Sequence, residues 1–176
     1  MKRFAALLET LILTPSRNRK IATLRDYFAA VPDPDRGLAV AAITRDLTLR
    51  QVKPALLRGL TESCVDPVLF NLSYDYVGDL AETVALIWPT QRAGALPSLG
   101  DFVAAVESLP KDHIADQVAA WLDIATPNER RAMIKLATGG LRVGVSARLA
   151  KTALAAYGGQ PLAEIEPIWH GLKPPY

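Results

Sequence analysis

The chain has 176 residues, half of them apolar and 22% charged, which supplies enough hydrophobic material for a core and excludes a disordered polymer. No apolar run reaches the ~20 residues of a membrane helix, and a net charge of +2 says nothing by itself about partners. The single cysteine, Cys64, excludes an internal disulfide and suits a reducing cytoplasm, and His113 and His170 stand too far apart to suggest a metal site.

Met1-Lys2-Arg3 before apolar residues has the outward look of a signal peptide. Glu9 and the spacing of Phe4, Leu7, Leu8, Leu11 and Ile12 instead predict an amphipathic helix over 2–13. Further helices are predicted over 18–30 and 35–44. Thr48–Lys53 is ambiguous, because Pro54 either starts the helix over 54–62 or kinks one begun at Thr48. Asp66-Pro67 sets a cap before proline at the first position of a helix over 67–76, and Asp79 caps one over 79–87. Trp88–Pro97, with Pro89, Gly94 and Pro97, reads as a long loop whose Gln91-Arg92 pair is available to a partner. Ser98-Leu99-Gly100-Asp101 has capping-box spacing ahead of a helix over 99–109, followed by one over 113–125. Thr126-Pro127 introduces a helix over 128–138, and Ser146 one over 147–157.

Strand alternation is confined to the short Leu141–Val145 piece, and no period of 35 to 45 residues recurs as in a helical solenoid. The expected fold is therefore all-α, a single compact domain of about ten helices spanning 1–160. Pro161, Pro167, Pro174 and Pro175 mark 161–176 as an extended linker, and the Lys173-Pro174-Pro175-Tyr176 end reads as a cut rather than a finish.

Charge is unevenly distributed along this frame. Residues 1–25 hold Lys2, Arg3, Arg17, Arg19, Lys20 and Arg25 against Glu9, and residues 36–58 hold five basic residues against Asp46. Residues 61–126 reverse the sign, with ten acidic residues against Arg92 and Lys111. Such blocks predict one basic and one acidic face. From Arg130 to Lys151 the chain carries Arg130, Arg131, Lys135, Arg142, Arg148 and Lys151 and no carboxylate.

Within that basic run lies Gly139-Gly140-Leu141-Arg142-Val143-Gly144-Val145-Ser146. Its three glycines permit positive φ and close approach of a partner, and Ser146 caps the following helix. A loop of amides, small residues and one arginine suits a phosphate or a groove wall, while the plainer reading is a helix C-cap followed by a connector. Catalytic chemistry is missing from the sequence: there is no Lys-x-Asp-Gly, phosphate loop, zinc spacing or Ser/His/Asp set. The near pairs Asp79 with Glu82 and Asp112 with Asp116 have helical surface spacing and read as solvated carboxylates.

A helix, then Gly139–Ser146, then an Ala/Leu-rich helix resembles the DNA-contacting loop in the N-terminal DNA-binding domain of bacterial-type ATP-dependent DNA ligases. The likeness takes in Phe4-Ala5-Ala6-Leu7-Leu8-Glu9, Thr14-Pro15-Ser16-Arg17-Asn18-Arg19-Lys20 and Asp75-Tyr76-Val77-Gly78-Asp79-Leu80-Ala81-Glu82. It ends at His170-Gly171-Leu172-Lys173-Pro174-Pro175-Tyr176, which looks like the linker toward the family's catalytic domain. The resemblance implies a monomeric, cytoplasmic, nucleoid-associated protein of DNA replication, repair and recombination. In the family this domain lies across the minor groove of nicked duplex DNA without reading sequence. It implies contacts from Gly139, Gly140, Arg142, Gly144 and Ser146, and from Thr14, Ser16, Arg17 and Lys20; helix geometry adds Lys135, Arg148 and Lys151. Many relatives carry a basic residue where this chain has Gly140, so one phosphate contact is expected to be weaker. The nucleotidyl-accepting lysine, ATP and Mg2+ are expected in catalytic domains of the parent protein, leaving this chain without cofactor, metal or catalytic residue and with no membrane partner. Two other classes remain open from the residues alone: an α-helical protein-interaction module, which predicts an exposed apolar groove and salt-insensitive binding, and a small helical enzyme, which no motif supports.

Overall fold

The computed structural model describes residues 1–89 and 92–171, so Gln91 and the Lys173–Tyr176 end lie outside the described residues. Among these residues helices are the chain's only regular secondary structure, and no strand is present. Its helices are α1 (Lys2–Leu13), α2 (Arg17–Ala30), α3 (Asp35–Thr44), α4 (Pro54–Glu62), α5 (Pro67–Val77), α6 (Leu80–Ile87), α7 (Leu99–Ser108), α8 (Ile114–Ile124), α9 (Pro127–Ala137), α10 (Ala147–Gly158) and α11 (Leu162–Ile168), before a 3-10 turn at Trp169–Gly171. The ten expected helices are present, each boundary within one residue of its predicted place. None is long and apolar enough to cross a membrane.

The caps explain why the boundaries fall where they do. Asp66 accepts from the Val68 and Leu69 amides, Asp79 from Glu82, Ser98 from Asp101 and Ser146 from Leu149. Thr126 and Glu129 close a reciprocal capping box on α9. Thr48–Lys53 is not helical: α4 starts at Pro54, where the missing N–H costs nothing, and buried Leu49 and Val52 anchor the segment ahead of it.

Two expectations need correction. Leu162–Ile168 is a helix where proline content pointed to an extended linker. Pro161 precedes it, where no intrahelical donor is needed, Ile165 is buried, and only Pro167 removes a backbone bond, near the end. Leu141–Val145, read as a short strand-like piece, is irregular backbone whose Leu141 and Val143 side chains are buried.

The residues group into two compact units. The first comprises Met1–Ala5 and Thr48–Gly140. Its core holds Leu57, Phe70, Val84, Leu99, Phe102, Val106, Leu122 and Leu136, with the Phe102 and Trp121 rings 4.8 Å apart. Arg130 is also inside it, only 3% exposed. Its Nε donates to Leu122 O at 2.7 Å, and Nη1 reaches Ala85 O at 3.5 Å and Trp88 O at 3.4 Å. The guanidinium thus satisfies carbonyls at the C-terminal ends of α6 and α8, where helix dipoles favour a cation.

The second unit comprises Ala6–Leu47 and the described residues from Leu141 onward. Its centre is the packing of α10 on α2, with α3 and α11 also against α10. Small Ala150 and Ala153 on α10 and Leu24 and Phe28 on α2 are buried there. The Phe28 and Tyr157 rings meet edge to face at 6.2 Å, and the Arg36 guanidinium lies 4.9 Å above Tyr157.

Candidate nucleic-acid interface

The α2–α10 pairing in the second unit sets two helix N-termini side by side. Pro15, Arg17 and Lys20 from the start of α2, and Gly144, Ser146, Arg148 and Leu149 from the start of α10, line one concavity of about 270 Å3. Each helix is capped by serine. Ser16 Oγ accepts the Arg19 amide at 3.4 Å, and Ser146 Oγ accepts the Leu149 amide at 3.2 Å. Parallel helices ending together present the positive ends of two dipoles to one place, a setting that favours an anion. Arg17 and Arg148 are exposed there and have no side-chain partner among the described residues. Thr14, half-buried, immediately precedes Pro15 at the same turn.

The glycine loop has a different physical reason at each glycine. Gly139, at φ +73°, is the left-handed residue that closes α9. The Gly140 amide donates to Lys135 O at 2.9 Å and the Gly139 amide to Leu136 O at 3.4 Å, the paired bonds of a Schellman ending. The plain C-cap reading therefore accounts for Gly139 without a ligand. Gly140 requires no glycine: its φ is not positive, and a Cβ there would make ordinary contacts with Lys135 and Thr138 at 3.5 and 3.6 Å. Leu141 and Val143 turn inward while Arg142 between them is exposed, with no partner among the described residues. Gly144 is at φ +63°, and a Cβ there would come within 2.6 Å of Lys20 Nζ.

The remaining basic residues of the predicted interface are engaged within the protein. Lys20 Nζ donates to Val143 O at 3.1 Å and Gly144 O at 2.9 Å. Lys151 Nζ lies 5.3 Å from the Trp169 ring centroid. In the first unit, Lys135 Nζ pairs with Asp79 Oδ2, and Arg131 Nη1 with Glu82 Oε1 at 3.4 Å. Asp79 and Glu82 are thus not simply solvated: packing of α9 against α6 brings each a cation from about fifty residues away in sequence. Partial burial works against the Asp79 charge. The Lys135 hydrogen bond, the Glu82 and Ala81 amides and the attraction of Lys135 outweigh it and hold this carboxyl below its ordinary value. Asp112 and Asp116 are exposed, as their spacing suggested. Of the six basic residues between Arg130 and Lys151, Arg142 and Arg148 are the two without a partner among the described residues.

No protein-family model matches the chain. It is 30% identical, over an alignment of 211 residues, to a probable DNA ligase of Opitutus terrae. The aligned region takes in 93% of this chain and 21% of that relative. The chain is thus similar, along almost its whole length, to about one fifth of a protein named as a probable DNA ligase.

Proposed function

We propose that this chain binds nicked duplex DNA through the phosphate backbone and minor groove, without reading sequence, as the DNA-binding part of an ATP-dependent DNA ligase. The observation that carries the reading is the meeting of two serine-capped helix N-termini with unpartnered Arg17 and Arg148. Phosphate oxygens take up the amides and dipole ends, and the arginines add charge-assisted hydrogen bonds. Arg142, exposed on the connecting loop, enters the groove or clamps an adjoining phosphate. ATP, Mg2+ and the nucleotidyl-accepting lysine belong to catalytic regions outside this chain, in keeping with a relative about five times longer.

A protein-interaction reading has one observation of its own. α5 exposes Val68, Leu69, Leu72 and Tyr76, the last 93% exposed, along one face. Salt separates the two readings. If about five phosphates are neutralised, log K for nicked duplex falls with log salt at a slope of roughly −4 to −5 and changes little with sequence. Arg142→Ala is expected to cost about 1–3 kcal/mol of binding with the unfolding midpoint unchanged. Lys111→Ala, at an exposed position of the first unit, binds like the parent. A slope near zero, or an Arg142→Ala variant that binds as well as the parent, refutes the DNA reading.

A further inference from the structure

Lys20 is the one cation of the concavity whose ammonium is taken up by backbone. It occupies the first turn of α2, where a positive charge opposes the helix dipole. No carboxylate offsets it among the described residues; instead two successive carbonyls of the glycine loop, 123 and 124 residues away, converge on Nζ. A planar trans peptide points its N–H away from its C=O. Turning the Val143 and Gly144 carbonyls toward Lys20 therefore turns the Gly144 and Val145 amides to the opposite side. Neither amide has a hydrogen-bond partner among the described residues, so both are left to solvent or to a ligand. The absent side chain at Gly144 is part of the same arrangement, since a Cβ would intrude on Nζ at 2.6 Å.

We infer that Lys20 is a positioning residue: it holds the glycine loop so that the Gly144 and Val145 amides face a phosphate, and it does not touch phosphate itself. Because the ammonium is hydrogen-bonded by carbonyl dipoles rather than paired with a carboxylate, its positive charge remains beside the two helix ends. The inference rests on the DNA-binding reading but differs from it in what the lysine does. It assigns the loop two amide donors, which no inspection of side chains would find.

The test compares Lys20→Met, Lys20→Arg and Arg148→Ala with the parent chain. Nicked-duplex binding is measured across a salt series, and the amide resonances of Gly144 and Val145 are followed in the free protein by NMR. Removing a side chain that contacts phosphate flattens the log K against log salt slope by about one. Arg148→Ala is expected to do this while leaving the two amide resonances in place. Lys20→Met is expected to weaken binding roughly tenfold at each salt with the slope changed by less than about half, and to move both resonances. Lys20→Arg, which keeps donors for the two carbonyls, is expected to restore them in part. If Lys20→Met flattens the slope by about one and the resonances stay where they were, Lys20 is a direct phosphate ligand and the inference fails. If the parent chain itself does not bind nicked duplex, the DNA reading has failed instead. Should Lys20→Met not fold, Lys20→Leu, which also removes the ammonium, is read in the same way, and unmoved Gly144 and Val145 resonances overturn the inference equally.

Discussion

Gly140 is the position where the interface can be strengthened rather than broken. Under the proposed DNA-binding role a basic residue would fit there, and nothing local demands glycine. Its φ is not positive, and a Cβ would meet Lys135 Cδ at 3.5 Å, Thr138 Oγ1 at 3.6 Å and Lys135 O at 3.9 Å, all ordinary contacts. The amide bond from Gly140 to Lys135 O survives any residue other than proline. Gly140→Lys therefore adds a cation to the loop without disturbing the end of α9. A charge-assisted hydrogen bond contributes about 1.5–3 kcal/mol, and ordering a lysine side chain costs up to about 2. The net gain is about 1 kcal/mol, or roughly fivefold tighter binding, and the salt slope steepens by about 0.9 for one added phosphate contact. Repulsion from Lys135 is muted because that ammonium is already paired with Asp79. Fluorescence anisotropy on a nicked duplex at several salt concentrations measures both quantities, with the unfolding midpoint as a control. A folded Gly140→Lys variant with unchanged or weaker binding and an unchanged slope would show that the start of the loop does not lie along DNA.

Other consequences are independent of that substitution. Incubation with labelled ATP is expected to leave no covalent adduct, since Lys-x-Asp-Gly is absent; a stable lysyl-AMP on this chain would sink the proposed division of labour. Asp79→Ala loses both the cap on α6 and the Lys135 pair and is expected to cost about 1–2 kcal/mol, whereas Asp79→Asn keeps a capping oxygen and costs about half as much; equal midpoints would refute the dual role. Because folding lowers the Asp79 pKa, its charge stabilises the fold above the unfolded value of about 3.9 and ceases to do so as pH falls through the folded value. The difference between parent and Asp79→Asn in thermal melts should therefore shrink below about pH 4.

The helices were legible because their signals are local. Asp66, Asp79, Ser98, Thr126 and Ser146 each announce a start within three residues of the amide they cap, and tertiary packing did not override them. α11 was missed because proline was counted without regard to position. Pro161 precedes the helix and Pro167 stands in its last turn, so neither opposes the turn that carries buried Ile165 onto α10. The grouping of Thr48–Gly140 apart from Leu141 onward depends on which helices pack together, and no cap or period encodes that.

The basic residues of the proposed interface were legible as residue types, but their internal partners were not. A run of six basic residues without a nearby carboxylate looked like one cationic stripe. Three of its members instead meet partners beyond the reach of helical spacing: Arg130 takes the carbonyl ends of two helices, Arg131 meets Glu82, and Lys135 meets Asp79. Lys151 meets an indole ring on the turn after α11. Once the cations with partners among the described residues are removed, the exposed arginines Arg17, Arg19, Arg142 and Arg148 remain on the chain segments that carry Ser16 and Ser146. A cation that folding leaves unpaired contributes little to stability, and two of these arginines, Arg17 and Arg148, line the concavity in which the proposed phosphate contact is placed.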